Sequence, residues 1–377
     1  MGAAAREVDT LVVGGGVVGM SVAYGLARAG ERVRVLDEGD DAFRATRGNF
    51  GLVWVQGKGL GRPAYARWTL ASAARWPGFA AELAAGTGID VDLKQPGGLS
   101  MCLSEQELAA RGAQLAALRD ELGEPYPFEV LDAAAVRALV PGTGPDIVGA
   151  VYCPLDGHTS PLKLLRALVQ AFAQRGGELA PGVPVQDIRH RHGAFEVRAG
   201  GGVHAARRLV LAAGLGNRAL APLVGLRAPV LPNRGQILVT ERLRPFLAHP
   251  TLHVRQTAEG VVQIGDSKED VGLDDGTTLA ELARIAARAA RCFPLLEGVN
   301  IVRTWGALRV MSPDGFPIYE ASASCPGAFV LTCHSGITLA AQHAGPLVDW
   351  IRGGAEPAEI TGFKAARFEG QSHAATH

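Results

Sequence analysis

The stretch that most limits what this chain can fold into runs from Asp9 to Gly39. Leu11 to Val13 is a short apolar run, Gly14, Gly16 and Gly19 follow in G-x-G-x-x-G spacing, and positions 20–29 carry apolar and small residues at helical spacing. Val33, Val35 and Leu36 then read as a second buried strand that ends on Asp37. Each part has a physical task. Gly14 permits the tight strand-to-helix turn, Gly16 lets the backbone approach a pyrophosphate, and Gly19 lets helix and strand pack closely, while the N–H groups of the helix start face the phosphates. Asp37 stands where a carboxylate accepts the ribose hydroxyls of an adenosine. An acid there, rather than a basic residue, argues against a 2′-phosphate and so against NADP. The motif does not by itself separate FAD from NAD, and the competing reading is a Gly-rich turn in an ordinary βαβ unit.

The remaining chain sets this unit in context. At 377 residues it suits about two domains. Lys+Arg and Asp+Glu both total 37, which gives no basic surface for nucleic acid or membrane. The cysteines, Cys102, Cys153, Cys292, Cys325 and Cys333, are scattered without a C-x-x-C, the pattern of reduced thiols in a cytoplasmic protein rather than of a zinc or iron–sulfur site. His190 and His192 lack a third ligand nearby, so no metal is expected. The first residues form strand almost at once, without a signal-peptide pattern, and no apolar run reaches the roughly 18 residues of a membrane span.

Beyond residue 40 a loop alternates glycines with Thr46, Arg47, Asn49, Phe50, Leu52 and Trp54, a composition suited to lying along an extended ligand. Helices are expected over 63–85, after the Ser104/Glu107 capping box, over 130–140, over 162–175 behind Thr159 or Ser160, and over 279–293. Antiparallel strands are expected over 183–188, 194–198, 202–206, 230–240, 251–256 and 260–267, and 302–310 reads as a strand or a loop. A separate buried strand starts at Arg208 and ends in the Ala213–Gly214 turn. The last strand, 328–332, turns sharply at 333–336 into a long helix over 337–351. βαβ units therefore sit at both ends of the chain with sheet-rich pieces between them.

These residues resemble the D-amino-acid oxidase superfamily of flavoproteins, nearly end to end, over about residues 8 to 352. The segment Arg47-Gly-Asn-Phe-Gly-Leu-Val-Trp-Val-Gln-Gly-Lys-Gly59, with Arg255-Gln256, Ile264-Gly-Asp-Ser267 and Cys333-His-Ser-Gly-Ile-Thr-Leu339, is most similar to the flavin subunits of the opine oxidase, D-hydroxyproline dehydrogenase and hydrogen cyanide synthase branch. The resemblance implies an α/β fold. A Rossmann-like FAD-binding domain of glutathione-reductase type comprises 1–85, 150–222 and 308–377. A mostly antiparallel α+β substrate domain, 86–149 and 223–307, is interleaved with it.

The resemblance also implies roles for particular residues. FAD, held without a covalent bond, is bound through Gly14, Gly16, Val17, Val18 and Gly19 at the pyrophosphate and through Asp37 and Glu38 at the ribose. Thr46 contacts phosphate, with Arg47 beside it, and Phe50, Gly51 and Leu52 border the flavin. Val185 presents backbone to adenine, Ala213 and Gly214 line the cleft, and His334, Ser335, Gly336, Ile337 and Thr338 wrap the flavin's pyrimidine end. The family motif W-a-G-L-R-P-x-T-x-D-G has its counterpart in Trp305-Gly-Ala-Leu-Arg309-Val-Met-Ser-Pro-Asp314-Gly, which gives Arg309 the substrate carboxylate; a structural ion pair between Arg309 and Asp314 is the rival reading. Val310 replaces the usual proline, and His253 stands where glycine oxidases have a substrate-side tyrosine. His253, Gln256 and Trp54 complete the expected substrate contacts.

The implied chemistry is hydride loss from Cα of an amino or imino acid, a secondary amine being favoured and glycine or a D-amino acid the alternative. It needs no metal and no covalent nucleophile from the protein. The N-terminus of the 337–351 helix is expected to offer amide donors and a positive dipole end to the flavin. O2, or a protein or quinone acceptor, would reoxidise it. The chain would act as a homo-oligomer or as one subunit of a larger assembly. An NAD-dependent dehydrogenase, and a flavin subunit without turnover of its own, are the rival classes.

Overall fold

The computed structural model describes residues 7–39 and 44–369. The expected ends of the nucleotide-binding domain, 1–6 and 370–377, lie outside the described residues. Strands Ala328–Thr332, Gly202–Leu211, Val8–Val13, Val33–Leu36 and Glu178–Ala180 lie side by side and parallel, in that order. Ile318–Ala321 adds antiparallel at the outer edge. Successive residues in these strands serve opposite faces. Val12, Val35, Val210 and Leu331 join one core cluster, and Leu11, Val13, Leu36, Leu211 and Val330 join another. This is the burial of a sheet covered on both sides, and it explains why its strands read as continuous apolar runs. Helices Val17–Arg28, Pro63–Thr87 and Pro161–Gln174 supply the first cluster. Ile188, Phe195 and Val197, on antiparallel strands, supply the second.

Three expectations change. The strand expected over 202–206 and the one starting at Arg208 are a single strand, Gly202–Leu211. Its first half pairs antiparallel with Ala194–Ala199 and its second half parallel with Val8–Val13, with Ala206 in register with both Phe195 and Val8. The helix expected over 130–140 begins only at Ala133. Val130 and Leu131 instead pair with Val151 and Ala150, and the Asp132 carboxylate caps the helix by accepting from Ala135 N at 2.8 Å. The long helix expected over 337–351 is a run of turns followed by two short helices, Ala340–His343 and Pro346–Ile351. Pro346 has no N–H to continue the ladder and disfavours helical geometry at Gly345, which sits at φ −122°, ψ −103°. The expected long macrodipole at residue 337 is therefore absent, and the turn itself offers the local amides.

The second unit is built from antiparallel sheets. Strand Leu231–Arg242 pairs along its length with Ile301–Met311, and Val261–Ile264 and Val254–Gln256 extend that sheet. Strands Gly98–Cys102, Gly149–Cys153 and Glu129–Asp132 form a smaller one. Gly149–Cys153 and Ile301–Met311 both span the expected boundaries at 149/150 and 307/308, and the latter strand, paired with Leu231–Arg242, carries Arg309. No helix among the described residues is long and apolar enough to cross a membrane.

Candidate active site

The glycine motif makes the cradle its spacing implied. Gly14 has φ +110°, and a Cβ there would stand 2.4 Å from Ala212 O. A Cβ on Gly19 would stand 1.9 Å from Gly14 O, so the helix lies against the strand only because that atom is missing. Gly16 is the N-cap and offers no side-chain cap, while Thr46 Oγ1 accepts from Val17 N at 3.0 Å. Asp37, at the end of Val33–Leu36, braces the turn: Oδ2 accepts from Gly15 N at 2.6 Å and Oδ1 from Gly39 N at 3.0 Å. A carboxylate has about four acceptor positions, so these two bonds leave room for hydroxyl donors. Glu38 is exposed and pairs with Arg44, and Arg47 is exposed. Val185 packs on the second core cluster, whereas the backbone group next to Asp37 is Val183 N, which donates to Asp37 O at 2.7 Å.

The turn at 334–338 is brought directly onto this cradle. A Cβ on Gly336 would stand 3.0 Å from Val17 Cγ1 and 3.3 Å from Val18 Cγ2. Thr338 ties it to the loop that follows Thr46: its Oγ1 accepts from Trp54 N at 3.2 Å and donates to Leu52 O at 3.3 Å. Its carbonyl accepts from Ser72 Oγ at 2.7 Å and from the Trp76 indole at 2.9 Å, so Trp76 is a core residue that fixes the turn. On the other side, Asn217 Oδ1 accepts from Ala213 N at 2.9 Å, and Asn217 Nδ2 reaches Leu211 O and Leu331 O, closing the Ala213–Gly214 turn onto two strand ends.

Between these parts and the antiparallel sheet lies a cavity. Phe50, Leu52 and Trp54 line one wall, Cys333 to Ser335, Ile337 and Thr338 a second, and Gly235, Ile237, Asp266 and Ala307 to Val310 a third. The loop and the turn that sequence similarity assigned to one cofactor thus line one space, and Gly336 joins the turn to the cradle. The Trp54 indole N–H there is buried without a hydrogen-bond partner. With the glycine cradle, that orphaned donor fits an extended dinucleotide carrying a large polar ring.

Arg309 stands on the third wall, opposite Asn233 in the strand register. Its Nη1 donates to Asn233 Oδ1 at 3.0 Å and to Arg234 O at 3.1 Å, and its Nη2 donates to Asp266 Oδ2 at 3.1 Å. Three of five N–H donors are engaged, and the others are left for a ligand. Burial works to lower the Arg309 guanidinium pKa. Asp314 is not its partner. That carboxylate binds Arg367, at 2.8 and 3.0 Å. Gly235 makes room for the guanidinium, since a Cβ there would fall 2.4 Å from Arg309 Nη2 and 2.6 Å from Cζ. Because the obstructed atoms end a flexible side chain, Gly235→Ala should fold normally and displace the guanidinium. Its denaturation midpoint should stay close to that of the parent, while KM rises at least about 10-fold, the cost of one lost charge-assisted hydrogen bond.

Asp266 had no role assigned from the sequence. Burial pushes its carboxyl up, but the adjacent His253 and Arg309 outweigh burial and hold it below its ordinary value. The segment around it is stitched to the neighbouring strand: Gln236 N donates to Ser267 Oγ at 2.8 Å, and Arg234 and Glu269 exchange backbone bonds at 2.8 and 3.0 Å. His253 Nδ1 lies 3.6 Å from Asp266 Oδ1, and His253 is not on the cavity wall. Gln256 is also elsewhere. Its Oε1 accepts from Phe246 N and Leu247 N, and its Nε2 donates to carbonyls at 243, 244 and 260, so it is spent on its own loop.

Lys58 was likewise unassigned. Its stem is packed deep, its ammonium opens on the cavity and donates to Ser335 Oγ, and burial lowers it to about 8. His334 on the same wall is exposed by surface area, and desolvation by its surroundings with the Lys58 and Arg309 charges holds it below its ordinary value. The signals for Lys58 and Asp266 in the sequence were a lysine inside a glycine-rich apolar loop, one of five in the chain, and an acid within the strand expected over 260–267. Neither distinguishes a cavity residue from a solvated one.

Among the described residues, no group of three or more His, Cys, Asp or Glu is placed to hold a metal ion. The chain is 45% identical over 366 residues to one of the subunits of opine oxidase from Agrobacterium tumefaciens, covering 97% of this chain and 99% of that one. It is 31% identical over 409 residues to the HcnC subunit of hydrogen cyanide synthase from Pseudomonas aeruginosa, covering 97% of each. The solved glycine oxidase of Geobacillus kaustophilus superposes with a TM-score of 0.88 at 26% identity, over 95% of this chain and 98% of that one. The model of the family described as FAD dependent oxidoreductase (DAO) matches residues 9–350, and the chain, with its glycine cradle, turn and cavity in one place, belongs to that family of FAD-dependent enzymes.

Proposed function

We propose that this enzyme oxidises an amino or imino acid at Cα, with a secondary amine such as an N-substituted glycine, an opine or a cyclic imino acid as the favoured substrate. The observation that carries this reading is the Arg309 guanidinium on the wall of the cavity, held from behind by Asn233 and Arg234 O. A fixed guanidinium recognises a carboxylate by parallel hydrogen bonds, and fixing that end of a small molecule fixes which C–H bond faces the cofactor. FAD, when bound, supplies the acceptor for two electrons and the hydrogen of that bond. The residues of this chain do the rest. Gly14, Gly16 and Gly19 admit the pyrophosphate, Asp37 takes ribose hydroxyls, and Trp54, Leu52 and the 334–338 turn enclose the ring. The amine must be unprotonated as hydride leaves. Its lone pair becomes the C=N bond of an iminium, and water then releases a 2-oxo acid and an amine.

Cys333, which lines the cavity, is pushed up to about 12 by burial, so the thiolate that a thioether link to the ring would need is scarce. This supports non-covalent binding. All five cysteines are free, which supports a reducing, cytoplasmic setting. The opine oxidase and hydrogen cyanide synthase relatives are both named as subunits, which supports a second reading: the chain turns over only inside a multi-chain assembly.

Anaerobic mixing of the yellow protein with sarcosine, glycine, D-proline and opines tests the proposal. At least one is expected to bleach the flavin, and secondary amines should do so fastest. Rapid return of colour in air marks an oxidase, and slow return a dehydrogenase. Bleaching by none of them, with or without partner chains, removes amine oxidation.

A further inference from the structure

We propose that Arg309 and Asp266 together form a receptor for a zwitterion, with Arg309 taking the carboxylate and Asp266 the N–H of the protonated amine. This deepens the amine-oxidation reading and rests on it. Arg309, on strand Ile301–Met311, and Asp266, on the loop that follows Val261–Ile264, are brought to 3.1 Å and both face the cavity, whereas His253 touches it only through Asp266. A guanidinium and a carboxylate side by side present a dipole whose complement is a carboxylate and an ammonium one carbon apart. Asp266 is not a loose surface acid. Ser267 Oγ accepts from Gln236 N and donates to Glu269 Oε1 at 2.7 Å, and Glu269 Oε2 accepts from the buried Arg234 at 2.8 Å, so the segment cannot swing the carboxylate away from the cavity.

The consequence is selectivity by charge. A plain carboxylate on Arg309 sets its oxygens against those of Asp266, and like charges a few ångströms apart in a half-buried site repel strongly. An α-amino acid brings its own cation to that position. A protonated secondary amine keeps two N–H donors and meets Asp266 directly. The amine is therefore captured as the cation and passes one proton to water before hydride leaves, so Asp266 is a binding and discriminating residue, and Arg309 alone would make a less selective pocket.

The test uses holoenzyme and matched pairs: sarcosine against butyrate, in which a methylene stands for the amine, and D-proline against cyclopentanecarboxylate. Affinities come from the perturbation of flavin absorbance, or from the concentration dependence of anaerobic bleaching. In the parent, the zwitterion of each pair should bind at least about 10-fold tighter. In Asp266→Asn, the zwitterion should weaken by about 10- to 100-fold, the range for a charge-assisted hydrogen bond, while the plain carboxylate tightens. Asp266→Ser serves as a second variant should the first not load FAD. A fall in affinity by the same factor for both members of a pair would mean that Asp266 only braces Arg309, and would overturn the proposal, as would an unchanged ratio. If the parent is bleached by amines but shows no preference over their carboxylate partners, this inference fails alone. If it neither binds nor is bleached by any of them, the functional reading fails with it.

Discussion

Arg309→Leu is expected to lower kcat/KM by about 1,000-fold, because it removes two charge-assisted hydrogen bonds worth roughly 1.5–3 kcal/mol each from a site that positions its substrate by one carboxylate. The loss should fall mainly on substrate capture and leave flavin content unchanged, since Arg309 lies on the antiparallel sheet and the glycine cradle on the parallel one. The substitution has a second effect that the geometry makes separable. Asp266, whose side chain is 30% exposed, loses the cation 3.1 Å away and is left with His253 at 3.6 Å and the weaker influence of Lys268. An unpaired carboxylate in a partly buried site is destabilising. The single variant should therefore unfold at lower denaturant, and Arg309→Leu combined with Asp266→Asn should regain most of that stability without regaining activity. Steady-state kinetics with the best substrate of the anaerobic panel, and urea titrations of the three proteins, measure both parts. Unaltered kcat/KM in the single variant would remove Arg309 from the substrate site.

Gly19→Ala should purify without flavin. The added methyl would stand 1.9 Å from Gly14 O, a backbone atom, and its own position is set by helix backbone held in place by its neighbours. Gly14 N donates to Leu36 O at 2.8 Å, and Met20 N closes the first helical turn on Gly16 O at 2.8 Å. Relief therefore requires helix Val17–Arg28 to lift from the strand, which breaks its packing in the first core cluster and opens the cradle together with the Gly336 contact. Overpacking of this kind costs about 1–3 kcal/mol or more, and the dinucleotide loses its backbone donors as well. The visible flavin absorbance of the purified protein and its thermal midpoint report the two effects. Gly16→Ala, whose methyl would meet only Thr46 Oγ1 at 3.1 Å, should retain some cofactor.

The parts legible in the sequence share a feature: the information is local. Gly14, Gly16, Gly19 and Asp37 lie within one strand–turn–helix–strand run, so their spacing alone fixes which backbone groups meet. The two helix caps at Ser104 and Ser160 were legible for the same reason, and both accept from the amide three residues on. The broken helix was also written locally, in Gly345 and Pro346, but the apolar spacing over 337–351 masked it. The fused strand Gly202–Leu211 was not legible, because a strand that changes partners midway leaves no break in its own pattern.

Spacing within the chain was enough for the glycine turn and the parallel strands that carry it, whereas Arg309 was picked out only through the motif it shares with the resembling family. Tertiary structure decided what surrounds that guanidinium. Asp266 is 43 positions away, Gly235 lies on the paired strand diagonal to it, two positions from Asn233, and Lys58 reaches Ser335 over 277 positions. It also withdrew Gln256 into its own loop and kept His253 off the wall. Strand register and loop closure set these outcomes by bringing distant residues together, and no period or spacing along the chain records which charges will then be neighbours.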